Sequence, residues 1–429
     1  MHDPGKTHNT DGVTTRLRDR AWTFVRDAVP IAIVAWLVFH GVRTALLERY
    51  LVPSTSMEPT LHGDAFDGDV VLVDKTAFWP SRSAGPAPFE IVVLRNRWDP
   101  GGNHLVKRFI ASGPATLWID AGDLFVREPG EAPEGVRVVK RPGEHPDLRQ
   151  TAFVVEPSSG DAGLDRLRAA PGLWSVEDGV IRLEARDPAE LIRAQSEALV
   201  QPTGLPGHLG TARAIDASFL DAQGVRLPGG GVDVRDVGLA VDVEIGAGTT
   251  LLHLVVEQLG VRRALEYAAE GGIRLRVDGE QAGPVHSAPP LPRGAASIAF
   301  GYLDGHLFVT VGPELVAWLP VEVPWSAPRD LVLPDSLPRP PANLLHIAVS
   351  GAPLAIHRIE GFHDVHYLGE QGSSRRDGFE LEPGDLFVLG DNSGDSSDSR
   401  ERGRDPLRRE DLVGRPMAVL APWSRRRWL

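Results

Sequence analysis

The sequence predicts a mostly β protein with an N-terminal transmembrane helix and a β domain split by an inserted β-sandwich-like domain. Three observations predict it. Apolar runs of strand length, punctuated by Gly and Pro, recur from residue 68 onward. One uncharged stretch, Ala28 to Val42, stands near the N-terminus. The last section, Leu381 to Trp423, matches the character of the section after that stretch rather than of the block between them.

Residues 1–27 read as a polar, cytoplasmic tail and 28–48 as the anchor. Ala28 to Val42 is shorter than the ~20 residues a spanning helix needs, and Arg26 and Arg43 close the gap if their stems lie in hydrocarbon and their guanidinium groups reach the headgroups. Trp22 and Trp36 suit the two interfaces. Arg16, Arg18, Arg20 and Arg26 precede the span, whereas Arg43 and Arg49 follow it with Glu48, which predicts a single pass through the cell (inner or plasma) membrane. The N-terminus is then cytoplasmic and the remainder exported. A cleaved leader fits less well, because the stretch begins well inside the chain and no small-x-small site precedes Pro53.

Residues 49–126 are predicted as the first part of the β domain, with strands in Gly68–Lys75, Phe89–Arg95 and His104–Ile110. The insert is predicted over 127–379. Its strand candidates are Leu239–Ile245, Leu251–Val256, Ile273–Val277, Ala299–Leu303, Leu307–Val311 and Leu345–Val349, with Asp278-Gly279 and Asp304-Gly305 as two-residue hairpin turns. Many short strands with such punctuation suggest a sandwich. Asp187 to Ala198 reads as a short helix, Pro313 to Pro341 as surface loop, and 380–429 as the second part of the split domain.

Composition narrows the chemistry. Without cysteine there is no disulfide, thiolate metal site or cysteine nucleophile, and a net charge of -13 argues against nucleic acid as a partner. No cofactor or metal is predicted. His357, His363 and His366 match no standard zinc spacing and read as surface residues, and Gly390 to Arg400, rich in oxygen ligands, lacks the terminal Glu of a calcium loop.

A serine hydroxyl needs a base, and none of the histidines stands in a recognisable triad context. The other activator is a neutral lysine, which requires apolar surroundings or a nearby positive charge. The lysines are Lys6, Lys75, Lys107 and Lys140, and Lys107 fits best. In a strand, Leu105, Lys107 and Phe109 share one face while Val106, Arg108 and Ile110 take the other.

Four stretches then fall in a known order: Pro53-Ser54-Thr55-Ser56-Met57-Glu58-Pro59-Thr60-Leu61, Gly68 to Lys75, Val106-Lys107-Arg108, and Gly390-Asp391-Asn392 with Ser396-Ser397-Asp398-Ser399-Arg400. Together they resemble the boxes of the type I signal peptidases, membrane-anchored Ser/Lys proteases that remove signal peptides from exported proteins. The resemblance implies Ser56 as nucleophile, Lys107 as general base, and Ser54 with the Ser56 backbone N–H as oxyanion hole. It implies Ser396 as the residue orienting the lysine, Asp398 and Arg400 as a supporting ion pair, and Val52, Met57, Leu61, Leu105 and Val106 as pocket lining for small side chains. Two departures stand out: Ala111-Ser112-Gly113-Pro114-Ala115 replaces the family's usual Gly-x-Pro-Gly-Asp turn, and Ser393 stands where the family has Arg.

The implied partners are signal-peptide-bearing preproteins and the lipid bilayer. The insert is similar to concanavalin-like lectin or laminin-G-type domains, and no ligand for it is legible. Two alternatives predict differently: a surface lectin-like binding protein with a degenerate protease half, and a regulatory Ser/Lys protease, which would carry a DNA-binding domain in place of the anchor.

Overall fold

The computed structural model describes residues 28–31, 33–34, 36, 41, 46–79, 85–99, 101, 103–120, 122–132, 134–142, 144, 148–159, 163–196, 208–211, 219–220, 225–227, 234, 236–258, 261–321, 343–368, 378–401 and 403–429. The two ends of the chain interleave in one antiparallel sheet. Its order is Leu47–Leu51, Val70–Asp74, Leu412–Ala421, Ile91–Arg95, His104–Ser112, Asp385–Leu389 and Leu407–Arg408, with Arg427–Trp428 added beside Leu412–Ala421. Alternation explains why these segments hold together, since successive side chains point to opposite faces. Val71, Val73, Ile91, Val93, Val106 and Val419 pack on one face with Val52, Met57 and Leu61, while Val92, Leu94, Phe109, Leu386, Val388 and Leu407 pack on the other. A smaller sheet, Phe379–Leu381, Ala115–Asp120, Asp123–Arg127 and Val136–Arg137, stands beside it. The expected insert limits at 127 and 379 fall inside this smaller sheet.

The insert is two stacked antiparallel sheets. One runs Trp174–Glu177, Val180–Leu183, Leu354–Asp364, Val237–Ile245, Gly294–Leu303, His306–Val311, Glu314–Pro320. The other runs Glu280–Gln281, Gly272–Val277, Val261–Ala268, Leu251–Gln258, Asn343–Ser350, Leu209–Thr211, Leu167–Arg168. Leu239, Val241 and Val243 from the first and Leu252, Leu254, Val256, Ile347 and Val349 from the second form a shared core. Both expected Asp-Gly turns are present with positive φ at each residue, 49° and 84° at Asp278-Gly279 and 43° and 83° at Asp304-Gly305, the conformation that a tight hairpin needs.

A β-ribbon joins the two bodies. Arg149–Val155 pairs with Leu354–Asp364, from Asp364↔Arg149 to Ile359↔Val155, so the outgoing and returning chain segments are themselves a continuation of a sandwich sheet. Beside this ribbon a charged cluster is sealed in. The Lys140 ammonium lies 3.0 Å from Asp304 and 2.9 Å from Asp364, and the Asp304 backbone N–H donates to Asp236. Burial alone would lower the pKa of Lys140, and the carboxylates of Asp304 and Asp364 overcome this and hold it well above the ordinary value. Asp123, Asp236 and Asp304 are close enough to hold a cation, but Lys140 and Arg137 already supply positive charge there. Lys140→Met takes from Asp304 and Asp364 the buried ammonium that they share and is expected to cost ~3–5 kcal/mol of stability in a denaturant titration at neutral pH. A loss below ~1 kcal/mol would show that the cluster does not need the ammonium.

Several expectations meet the structure at other points. The helix is Pro188–Ser196. In the stretch expected to be an anchor, 28–31, 33, 34, 36, 41 and 46 are helical, with Val29, Ile31, Ile33, Val34 and Trp36 exposed, and the chain is already a strand at Leu47. The rest of the anchor, the tail 1–27 and most of Pro313 to Pro341 lie outside the described residues. Among the described residues no helix is long and apolar enough to cross a membrane. His363 is fully buried rather than at the surface, its Nδ1 2.6 Å from the Asp364 carbonyl oxygen, while His357 is exposed.

Candidate active site

Ser56 sits in a single 3-10 turn, Thr55–Met57, that follows the Leu47–Leu51 strand. The turn is pinned from several sides. Val52 N–H donates to the Asp69 carbonyl at 2.8 Å, and the buried Glu58 carboxylate accepts the Gly63 N–H at 3.1 Å and pairs with His62 Nδ1 at 2.7 Å. A Cβ at Gly63 would overlap the Ser54 backbone carbonyl, so only glycine lets the loop close there.

Lys107 comes from the His104–Ser112 strand, and its Nζ lies 2.6 Å from Ser56 Oγ and 3.0 Å from Ser396 Oγ. Only 3% of the residue is exposed. Burial lowers the pKa of Lys107 to about 8, while the opposing fields of Asp398 and Asp391 and of Arg400 and Arg404 contribute less. A lysine so tuned is neutral in a useful fraction of molecules near neutral pH. Ser54 Oγ lies 3.3 Å from Ser56 Oγ.

A second layer comes from the C-terminal section. Gly390 packs so closely that a Cβ there would overlap both Ser396 Oγ and the Ser56 carbonyl oxygen. Asp391 takes a two-point ion pair from the fully buried Arg108, at 2.6 and 2.7 Å, and accepts from the Thr60 hydroxyl. Arg108 also donates to the carbonyl of Phe89, whose φ of 65° is a strained, left-handed value for a bulky residue. Asn392 N–H donates to the Ser56 carbonyl at 3.1 Å, its side chain donates to the Thr55 carbonyl at 3.3 Å, and Thr55 donates to Asp395. The Arg400 guanidinium meets both Asp398 oxygens at 2.8 Å, and Asp398 accepts the Gly390 N–H at 3.1 Å. Ser393 accepts from Arg400 at 2.7 Å and from Leu368 N–H at 2.8 Å. With Asp391, Asp395 and Asp398 committed to these partners, the segment has little left for a calcium ion.

The geometry brings Ser54, Ser56, Lys107, Ser396, Asp398 and Arg400 together. The expected pocket residues divide. Leu105 lines the cleft above Ser56, a space of about 640 Å³. Val52, Met57, Leu61 and Val106 are a correction: they are buried in the core beneath the cleft, because the turn and the strand aim those side chains into the sheet. The cleft is lined instead by Pro53, Asn96, Trp98, Asp99 and Asp64, with the Arg404 guanidinium 4.6 Å from the Trp98 ring. Arg108, Asp391 and Asn392 stand inside the sequence boxes without an expected role. The strand after Lys107-Arg108 runs unbroken to Ser112 despite its altered turn.

The sequence family described as "Signal peptidase, peptidase S26" matches residues 25–156 and 357–422, leaving 157–356 as the interruption. A signal peptidase I of Mycobacterium tuberculosis (strain ATCC 25618 / H37Rv) is 28% identical over 164 residues, 31% of this chain and 51% of that protein. A probable signal peptidase I of Mycobacterium leprae (strain TN) is 33% identical over 130 residues, 23% of this chain and 43% of that protein. The chain spans about half the length of the curated relatives it matches. Solved structures similar in part include a Bacillus licheniformis β-glucanase, with a TM-score of 0.29 and 9% identity, covering 49% of this chain and 97% of that one. A carbohydrate binding module from Bacillus subtilis gives a TM-score of 0.26 and 8% identity, covering 49% and 96%. Overlaps this low carry no argument about the insert.

Proposed function

From a chain that carries a signal peptidase domain of the peptidase S26 family, split by an insertion, we propose a membrane-anchored serine endopeptidase that removes signal peptides from exported preproteins. The observation that carries it is the buried lysine 2.6 Å from the Ser56 hydroxyl, with its pKa brought down to about 8. Neutral Lys107 takes the Ser56 proton as Oγ attacks the scissile carbonyl. The Ser54 hydroxyl and the Ser56 backbone N–H meet the charge that forms on the carbonyl oxygen. As the intermediate collapses, the Lys107 ammonium returns the proton to the leaving amine, and water, deprotonated by the same lysine, then releases the acyl group. Ser396, at 3.0 Å, keeps the ammonium aimed through the cycle.

An anchor that begins at 28 and ends before the Leu47–Leu51 strand would leave the N-terminus cytoplasmic and place the cleft outside the cytoplasm, where enzyme and substrate share one interface at high effective concentration. The test is cleavage of a model preprotein by the full-length protein in detergent, beside Ser56→Ala. We expect one cut after a small residue by the wild type and none by the variant. Equal cleavage by both, or none by either, would refute the reading.

A further inference from the structure

The peptide group between Asp391 and Asn392 is held at both ends. Its N–H, belonging to Asn392, donates to the Ser56 carbonyl at 3.1 Å. Its C=O, belonging to Asp391, accepts from the Gln150 side-chain amide at 2.9 Å. In a trans peptide the C=O and N–H point in opposite directions within one plane, so a single rigid unit connects Gln150 on one side to the main chain of Ser56 on the other. The amide orientation of Gln150 follows from its partner: a backbone carbonyl only accepts, so the NH₂ end must face it. Gln150 is 2% exposed and lies opposite His363 in the ribbon that joins the two bodies.

We propose that Gln150 is a positioning residue for Ser56, by which the ribbon to the inserted sandwich fixes the peptide that holds the nucleophile's main chain. The inference rests on the reading of Ser56 as nucleophile. Asp391 is also held by the ion pair of its carboxylate with Arg108, a contact made by the side chain. Gln150 acts on the peptide carbonyl itself, opposite the Asn392 N–H that meets Ser56. The Ser56 N–H and Oγ both depend on where this main chain sits, and hydrogen bonds in series through one peptide reinforce each other. The effect belongs to the chemical step rather than to substrate binding, because Gln150 lies outside the set of residues that line the cleft.

The test uses the full-length protein and a model preprotein, with kcat and KM measured per folded molecule. Gln150→Leu keeps the bulk and removes the donor; we expect kcat to fall about five- to tenfold, the range of one net hydrogen bond, with KM within twofold. Thr151→Val removes the ribbon hydrogen bond from Thr151 to Glu360, 2.8 Å, without touching the 391–392 peptide, and kcat should stay unchanged. If Gln150→Leu does not fold, Gln150→Asn, which withdraws the amide by one methylene, should lower kcat in the same way. A folded Gln150 variant with wild-type kcat, or an equal loss in Thr151→Val, overturns the proposal. Residual cleavage by Ser56→Ala in the same assay would instead count against the nucleophile assignment.

Discussion

Lys107→Met will reduce kcat/KM for a preprotein by at least about 10³-fold and leave a protein no less stable than the wild type. The loss follows from geometry, since the ammonium nitrogen is 2.6 Å from Ser56 Oγ and methionine offers no base at that distance. The stability follows from linkage. In the folded state burial lowers Lys107 from an ordinary 10.5 to about 8, a difference equivalent to ~3 kcal/mol carried by the folded protein whenever the group is protonated in both states. Between pH 8 and 10.5 the unfolded chain binds this proton and the folded one does not, so the contribution of Lys107 to stability rises with pH in that window. Below pH 8 the penalty is constant. Methionine removes it, at the expense of hydrogen bonds to Ser56 and Ser396, and this is the sense in which the site exchanges stability for reactivity.

The same displacement sets the pH dependence of the wild type. With Lys107 as the base in the free enzyme, kcat/KM should climb roughly tenfold per pH unit below about 8 and then level off, so that activity at pH 6 is about a hundredth of the plateau. An acid limb centred near pH 4 or 5 would point to a carboxylate and sink the assignment. So would a Lys107→Met protein that melts well below the wild type, because its inactivity would then have a structural cause.

Much of this site is legible in the chain. Alternation along His104–Ser112 puts Lys107 between Leu105 and Phe109, and both side chains pack with the core face that also takes Val92 and Leu94. The same alternation puts Val106 on the face opposite Lys107, and it is buried there with Val93 rather than in the cleft. Val52, Met57 and Leu61 adjoin Ser56 in sequence, but a turn has an upper and an under side, and only the sheet below decides which apolar side chains are drawn in. The pairings that escape sequence reasoning are those of long separation. Arg108 with Asp391 spans 283 positions and Gln150 with Asp391 spans 241. A glutamine in a strand has no local signature that distinguishes a solvent contact from a buried donor. The sandwich strands and their Asp-Gly turns can be read from local pattern, whereas the ribbon that joins the bodies needs the register of two segments some 200 residues apart.

Gly390→Ala is expected to lower kcat/KM by at least about 10²-fold, a loss that a shift of ~1 Å in a catalytic group can cause. Gly390 has no unusual φ, so the requirement for glycine there is one of space alone. The added Cβ would overlap Ser396 Oγ and the Ser56 carbonyl oxygen, with Ser396 Cβ only 2.8 Å away. Ser56 O is main chain and cannot swing aside, and it is also the acceptor for Asn392 N–H. Relief therefore has to come from moving the turn that carries Ser56, Ser396, or the strand end bearing Gly390 itself. Each of these disturbs the Lys107–Ser56 or Lys107–Ser396 contact. Overpacking of this kind also costs ~1–3 kcal/mol, so activity must be normalised to folded protein. Gly384→Ala supplies the contrast: its φ of 91° is strained for alanine, but nothing lies within 4 Å of the new Cβ. That variant should lose about 1 kcal/mol of stability and keep its kcat/KM. If Gly390→Ala kept more than half of the wild-type kcat/KM, the close approach of the C-terminal loop to the dyad would have no catalytic weight. Equal losses in both variants would mean that strain in the loops, rather than the spacing of Ser56, Lys107 and Ser396, controls the rate.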